Sequence, residues 1–443
     1  MSQKTNYRPA FIVVTTLFFM WGFITVLVDA LIPRLRDVFE LSYFEAGLVQ
    51  FAFFTAYFVF SIPGGYLISK IGYKKGAVVG LITMGAACLL FYPAASFRLF
   101  PIFLLALFVL AGGITILQVA ANPYVAALGP DRTSSSRLNL AQAFNSLGTT
   151  IAPLVSAAFI LSSSVASSAE VSAMGQAQQL AYYEAEAAAV QGPFVILAIV
   201  LIILAGLFSV FKLPKILEGD DNKSGSYSVA LKTKHLMLGA LGIFVYVGAE
   251  VTIGSYLVNY FLQLDIETLV EGSAVMSSIA AGLSTVFSDT SIQDMNASQL
   301  AGTYVFFYWG GAMVGRFIGA GLMQKLNAGN LLGIYGLVNV SLILISMFSG
   351  GLTAMWTILA VGLFNSIMFP TIFTLAIKKL GKHTAQGSGI LCTAIVGGAI
   401  IPPFLADSIG LQMGLFLPIL CYLYISWYGK KGSKIELEQA PAA

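Results

Sequence analysis

Residues 100–128 read FPIFLLALFVLAGGITILQVAANPYVAAL, a run without one charged side chain. About 20 such residues in a helix cross the hydrocarbon core of a bilayer, and a helix pairs every backbone polar group that lipid cannot satisfy. Read outward from this run, the pattern recurs near 10–33, 43–69, 76–95, 137–162 and 191–213, and again near 235–262, 299–325, 329–350, 351–379, 384–407 and 410–429. The whole chain of 443 residues is 58% hydrophobic and 10% charged, with a mean hydropathy of +0.85. That balance excludes an ordinary soluble domain. The expected fold class is an all-α integral membrane protein, twelve transmembrane helices in two pseudo-symmetric six-helix bundles.

The N-terminus is polar for nine residues and leads into a hydrophobic segment too long for a signal sequence, so that segment is expected to remain as span 1. Of the 23 Lys and Arg residues, 20 fall on the side of the termini, and only Arg34, Arg36 and Arg98 fall on the other. The positive-inside rule then makes both termini cytoplasmic. The break from Pro214 to Lys234 places Lys215, Lys223, Lys232 and Lys234 among Gly, Ser and Asp, the composition of a solvated linker. The expected organisation is a bundle over 1–213, a linker over 214–234 and a second bundle over 235–443.

The two halves echo each other. Gly148 stands five residues before Pro153 and Gly397 five before Pro402; Gln118 stands five before Pro123 and Asn365 five before Pro370. Repeats interrupted by Gly and Pro at matching places mark transporters whose site lies near the bilayer midplane, although both residue types are common in membrane helices. Cys88, Cys392 and Cys421 are isolated in apolar runs and read as small core residues.

Between spans 2 and 3 the chain reads Gly65-Tyr66-Leu67-Ile68-Ser69-Lys70-Ile71-Gly72-Tyr73-Lys74-Lys75, a glycine turn with three cations. It resembles the loop that major facilitator transporters carry there, with Ser69 in place of the usual acid and a degenerate copy at Ala320–Lys325. A closer resemblance rests on Trp21–Pro33 (WGFITVLVDALIP), Gln118–Tyr124 (QVAANPY), Leu138–Pro153 (LNLAQAFNSLGTTIAP), Tyr246–Glu250 (YVGAE) and Ser388–Pro402. These stretches look like the fucose, galactose and glucose proton symporter family, and within it the bacterial glucose/galactose transporter branch. The resemblance implies the major facilitator fold, a monosaccharide substrate, cation-driven uptake and a place in the bacterial inner membrane.

Asp29 is the only acid inside span 1 before Pro33. An aspartate in a spanning helix costs about 2.5–3.5 kcal/mol on insertion scales, so such residues usually face a cavity and have a task. An apolar setting penalises the carboxylate relative to the neutral acid, which suits a group that binds and releases a proton near neutrality. The resemblance assigns the matching aspartate of the fucose branch to proton coupling. The structural alternative is a hydrated Asp29 near the outer surface. Glu250, near the middle of span 7, is the second candidate for cation coupling. The fucose branch carries another acid in span 4, where this chain has Gln118, and glutamine cannot titrate.

Sugars are recognised by planar side chains that donate and accept at once, backed by aromatic faces. Gln118 and Asn122 are one turn apart in span 4, and Gln142 and Asn145 are three apart in span 5, so each pair shares a face. Amides also serve as interhelical bonds worth about 0.6 kcal/mol on average. Asn259 and Asn365 are the second-half amides, and Trp21, Phe53, Tyr57, Tyr308 and Trp309 are candidate aromatic faces. Arg316, in the run Gly311, Gly315, Gly319, reads as a snorkelling or gating charge and is left out of the sugar site.

The leading reading is sugar symport by alternating access with a co-transported proton, no cofactor and no resident metal. Sodium coupling, a passive facilitator and a drug exporter are the alternatives on the same fold. An enzyme is not expected: the only histidines are His235 and His383, and neither HExxH nor GxSxG occurs. The expected partners are a small sugar and the bilayer, with no nucleic acid, and the chain is expected to work as a monomer. The outer segments 162–190 and 265–300 are Ala- and Ser-rich and are expected to form short helices.

Overall fold

The computed structural model describes residues 7–39, 43–97, 99–159, 171, 173–217, 225–287, 295–402 and 414–435; the side chains of residues 28–39, 43–47, 50, 154–159, 183 and 186–190 fall outside that description. Helices run Arg8–Phe39, Tyr43–Ile71, Tyr73–Ser96, Phe100–Ala127, Ser134–Phe159 and Gln176–Val210 in the first half. They run Lys234–Gln263, Ala297–Leu322, Ala328–Phe348, Gly351–Asn365, Met368–Ala376, Thr384–Thr393 and Phe416–Trp427 in the second. Among the described residues nine are long and apolar enough to cross a membrane. Span 5 falls outside that group because Arg137, Asn139, Gln142 and Asn145 lower its hydropathy. Spans 11 and 12 do so because their described helices are short.

Two boundaries differ from the sequence reading for physical reasons. Span 6 begins at Gln176 rather than near 191, because the alanine-rich stretch ahead of it has high helix propensity and extends the same helix. Span 10 is two helices, Gly351–Asn365 and Met368–Ala376, interrupted at Ser366 and Ile367. Pro370 lacks the N–H that would bond to the Ser366 carbonyl four residues earlier. Part of the second outer segment does fold as short helices, Ile266–Glu271 and Ala274–Phe287.

By backbone proximity the chain forms two compact units, residues 1–124 with 144–218, and residues 125–143 with 219–443. In the first, the Phe91 ring of span 3 stacks on Phe194 of span 6 with centroids 4.1 Å apart. Spans 1 and 5 come together at Gly148, where a Cβ would overlap the Phe19 carbonyl. The second unit repeats this contact: a Cβ on Gly397 of span 11 would overlap the Phe244 carbonyl of span 7. Small residues let lipid-embedded helices approach this closely. Gly72 turns the chain between spans 2 and 3 with φ +83°, a conformation that glycine adopts without strain.

The start of span 5 belongs to the second unit through hydrogen bonds. Ser135 Oγ lies 2.6 Å from Thr374 Oγ1, Ser136 Oγ donates to the Ala320 carbonyl at 2.6 Å, and Asn139 Nδ2 donates to Thr371 Oγ1 at 3.2 Å.

Candidate functional site: two tyrosine–amide clusters

In the first half, span 4 presents Gln118 to span 2, and Gln118 Nε2 donates to Tyr57 Oη at 2.6 Å. Both side chains are buried, and Asn122, one turn further on, is fully buried on the same face. Phe53 packs against Tyr57 with ring centroids 5.6 Å apart. Three candidates therefore meet here, Gln118, Tyr57 and Phe53, with Asn122 on the Gln118 face of span 4. Trp21 is buried on span 1 beside Phe18, with centroids 5.4 Å apart.

Asn145 has a different occupation. Its Nδ2 donates to the Phe18 carbonyl at 2.9 Å, and a Cβ on Gly22 would collide with Asn145. One of its two N–H groups thus ties span 5 to span 1, leaving the rest of the amide for other contacts. Gln142 is buried one turn before it. Asp29 lies in the helix Arg8–Phe39, and its side chain is outside the described residues.

In the second half, Asn365 is the centre of a larger cluster. Its Nδ2 donates to Tyr308 Oη at 2.8 Å, and its Oδ1 accepts from Asn339 Nδ2 at 2.8 Å. Tyr246 Oη lies 2.7 Å from Glu250 Oε1 and 3.2 Å from the Asn365 backbone oxygen, so its one O–H is shared between these two acceptors. Tyr308 Oη donates to the Glu250 carbonyl at 3.2 Å. Asn365, Asn339 and Tyr308 are 0% exposed, so this is a sealed network in which each unmet group would carry a full desolvation cost.

The break in span 10 shapes this cluster. A carbonyl left without a partner inside a bilayer costs several kcal/mol. Arg316 Nε meets that need by donating to the Ser366 carbonyl at 3.2 Å. The remaining candidates stand apart: Trp309 is 47% exposed, packed over Gly254 and edge-on to Tyr308, and Asn259 is exposed on the helix Lys234–Gln263.

Sequence reasoning found Gln118, Tyr57, Glu250, Tyr308 and Asn365 but did not join them. It missed Tyr246 and Asn339 and set Arg316 aside. Two signals were present: Tyr246 and Glu250 are four apart on one helix, and Pro370 frees the Ser366 carbonyl. Among the described residues no three His, Cys, Asp or Glu side chains gather as a metal site. Both histidines bond to backbone: His235 Nε2 lies 2.9 Å from the Lys378 carbonyl, and His383 Nδ1 accepts from Ser226 N–H at 2.9 Å.

Known proteins align with this chain along nearly its whole length. It is 48% identical over 440 residues to a glucose/galactose transporter of Brucella abortus biovar 1 (strain 9-941), covering 98% of this chain and 96% of the relative. It is 34% identical over 434 residues to the L-fucose-proton symporter of Escherichia coli (strain K12), covering 96% of this chain and 93% of that one. A crystal structure of the E. coli fucose:proton symporter superposes with a TM-score of 0.83 at 32% identity, covering 97% of this chain and 100% of the other. These matches carry the fold as a multi-pass bacterial membrane protein, a transporter rather than an enzyme. With residues 10–403 matching the family pattern as well, the chain belongs to the Major Facilitator Superfamily.

Proposed function

We propose that this protein is a secondary active transporter that takes up a monosaccharide, a hexose such as glucose or galactose, by proton-coupled symport with alternating access. The observation that carries the reading is the pair of matching clusters, Gln118 with Tyr57 and Asn365 with Tyr308, in a chain similar to a glucose/galactose transporter and a fucose-proton symporter. Amides beside phenol hydroxyls can donate to and accept from sugar hydroxyls, and the ring faces of Phe53 and Trp21 suit the apolar side of a pyranose.

In this reading Asp29 takes up the proton, Glu250 is the second carboxylate, and Gln118, Asn122, Gln142 and the free part of Asn145 bind sugar hydroxyls. The chain works as a monomer in the inner membrane with both termini cytoplasmic and residues 214–234 linking two moving halves. It needs no cofactor beyond the co-transported cation.

The test is uptake into liposomes of labelled glucose, galactose, mannose, fucose and N-acetylglucosamine under imposed proton or sodium gradients, for wild type and Asp29→Asn. Accumulation of one sugar driven by the proton gradient, lost in Asp29→Asn while counterflow exchange survives, supports the reading. Accumulation driven only by sodium replaces the cation. Equilibration without accumulation reduces the protein to a facilitator.

A further inference from the structure

Arg316 is a cation inside span 8 that the proposed transport cycle does not use. Its setting is defined by the interruption of span 10. Pro370 cannot donate to the Ser366 carbonyl, and Arg316 Nε donates to that oxygen instead. One residue earlier, the Asn365 carbonyl takes its bond from Tyr246, whose hydroxyl also reaches Glu250. The Asn365 side chain meanwhile holds Tyr308 and Asn339. Span 8 can reach the break because a Cβ on Gly315 would overlap the Leu363 carbonyl and the Ser366 side chain, so the two backbones are in close approach.

We propose that Arg316 is a positioning residue for transport: by capping the Ser366 carbonyl it holds span 10 in its interrupted form and thereby fixes the Asn365 amide, Tyr246 and Glu250. A snorkelling arginine would direct its donors to headgroups or water. Here a guanidinium N–H is aimed at an acceptor buried with the polar cluster. Lysine is a poor substitute, because its ammonium lacks the planar, preset donor direction of the guanidinium. The proposal rests on the sugar-symport reading for its transport readout, while the capping itself is measured without sugar.

The experiment compares wild type, Arg316→Gln, Arg316→Lys and Arg316→Gln/Pro370→Ala in liposomes. Alanine at 370 supplies the missing N–H to Ser366, so the double variant closes the helix by another route. Without sugar, backbone hydrogen exchange over residues 363–371 should accelerate about tenfold or more in Arg316→Gln, the loss expected for one charge-assisted hydrogen bond. Arg316→Lys should show an intermediate rate, and the double variant should return to slow exchange. In counterflow, Arg316→Gln should raise KM about tenfold with little change in maximal rate, because Glu250, which the symport reading gives to coupling and which Tyr246 holds beside the Asn365 carbonyl, is displaced rather than removed. The double variant should keep the raised KM, since closing the helix moves Asn365 from its place.

Unchanged exchange over 363–371 in Arg316→Gln, or in Arg316→Lys should the glutamine variant not fold, overturns the proposal. Faster exchange with unchanged KM leaves Arg316 as a structural cap and overturns its positioning role. If wild type moves no sugar, the symport reading fails, and the hydrogen-exchange arm still decides whether Arg316 caps the break.

Discussion

The two halves of the molecule build the same pair and then use it differently. Gln118 donates to Tyr57 between spans 4 and 2, and Asn365 donates to Tyr308 between spans 10 and 8, at 2.6 and 2.8 Å. Each amide precedes a proline by five residues. In the first half the amide is followed one turn on by a second amide, Asn122. In the second it is the hub of a network that takes in Asn339, Tyr246 and Glu250 and adjoins the carbonyl capped by Arg316. The difference teaches that one repeated device can stand in a short row of amides in one half and as a strut in the other; under the proposed function that row is the one that binds sugar hydroxyls. Deleting the two amides should therefore have unequal effects.

The largest effect is expected at Asn365. Asn365→Leu leaves Tyr308 without its donor and Asn339 Nδ2 without its acceptor in a site closed to water, which should cost about 2–4 kcal/mol. Gln118→Leu leaves one phenol without its donor and should cost about 1–2 kcal/mol. Thermal melting of the purified proteins in one detergent measures both. Equal losses would break the distinction between strut and binding wall.

Next come the glycines at which the halves agree. A methyl group on Gly148 or Gly397 meets the carbonyl of Phe19 or Phe244 and has no flexible side chain to push aside. Gly148→Ala and Gly397→Ala should each destabilise by about 1–3 kcal/mol, the range for overpacking. Similar melting losses at the two sites sharpen the repeat; a neutral substitution at either one shows that its close approach is not shared.

In transport the order reverses. Tyr57→Phe removes the hydroxyl beside Gln118 and should raise KM for sugar exchange about tenfold, equal to one hydrogen bond of about 1.4 kcal/mol. Tyr308→Phe should act mainly through stability and leave KM within about threefold. Counterflow kinetics on protein that passes the melting test separate the two.

What the sequence disclosed follows from which forces are local. Spans were legible because a bilayer demands continuous apolar runs, and Gly148, Gly397 and the paired prolines gave a weak echo between the halves, which the matching contacts at Phe19 and Phe244 strengthen. The Tyr246–Glu250 contact was within reach because four residues make one helical turn. The bond from Gln118 to Tyr57 was not, because helix period tells which residues share a face and leaves open which helix that face meets. Asn145 shows the same limit: its spacing from Gln142 was visible, while its tie to the Phe18 carbonyl required knowing that span 1 crosses at Gly22. Arg316 was set aside because a charge in a membrane helix was weighed against the loop, whereas its acceptor is created by a proline 54 residues later in the chain.

The smallest effect is expected where the two halves differ in their connecting turns. After span 4 the turn Asp131–Thr133 is held by Arg137, which donates to the carbonyls of Ala126 and Pro130 and to Thr133 Oγ1. Arginine keeps its charge at every working pH. After span 10 the corresponding turn Gly381–His383 holds the linker, with His383 Nδ1 accepting from Ser226 N–H and Gln386 Nε2 donating to the Gly225 carbonyl. A protonated imidazole has no lone pair for Ser226. Burial first, and the neighbouring Lys382 second, push His383 below its usual range, which for a free imidazole lies near about 6.5. The unfolded chain therefore binds the proton at a higher pH than the folded one. This contribution is complete above that ordinary value and is lost as pH falls through the lower, folded value. Hydrogen exchange of the Ser226 amide, compared with that of residues 131–134 and corrected for intrinsic rates, should speed up on acidification only at the linker. The change should be modest, because Gln386 continues to hold Gly225. His383→Gln should abolish the pH dependence, and a pH dependence that persists in this variant would assign the acid sensitivity to another group.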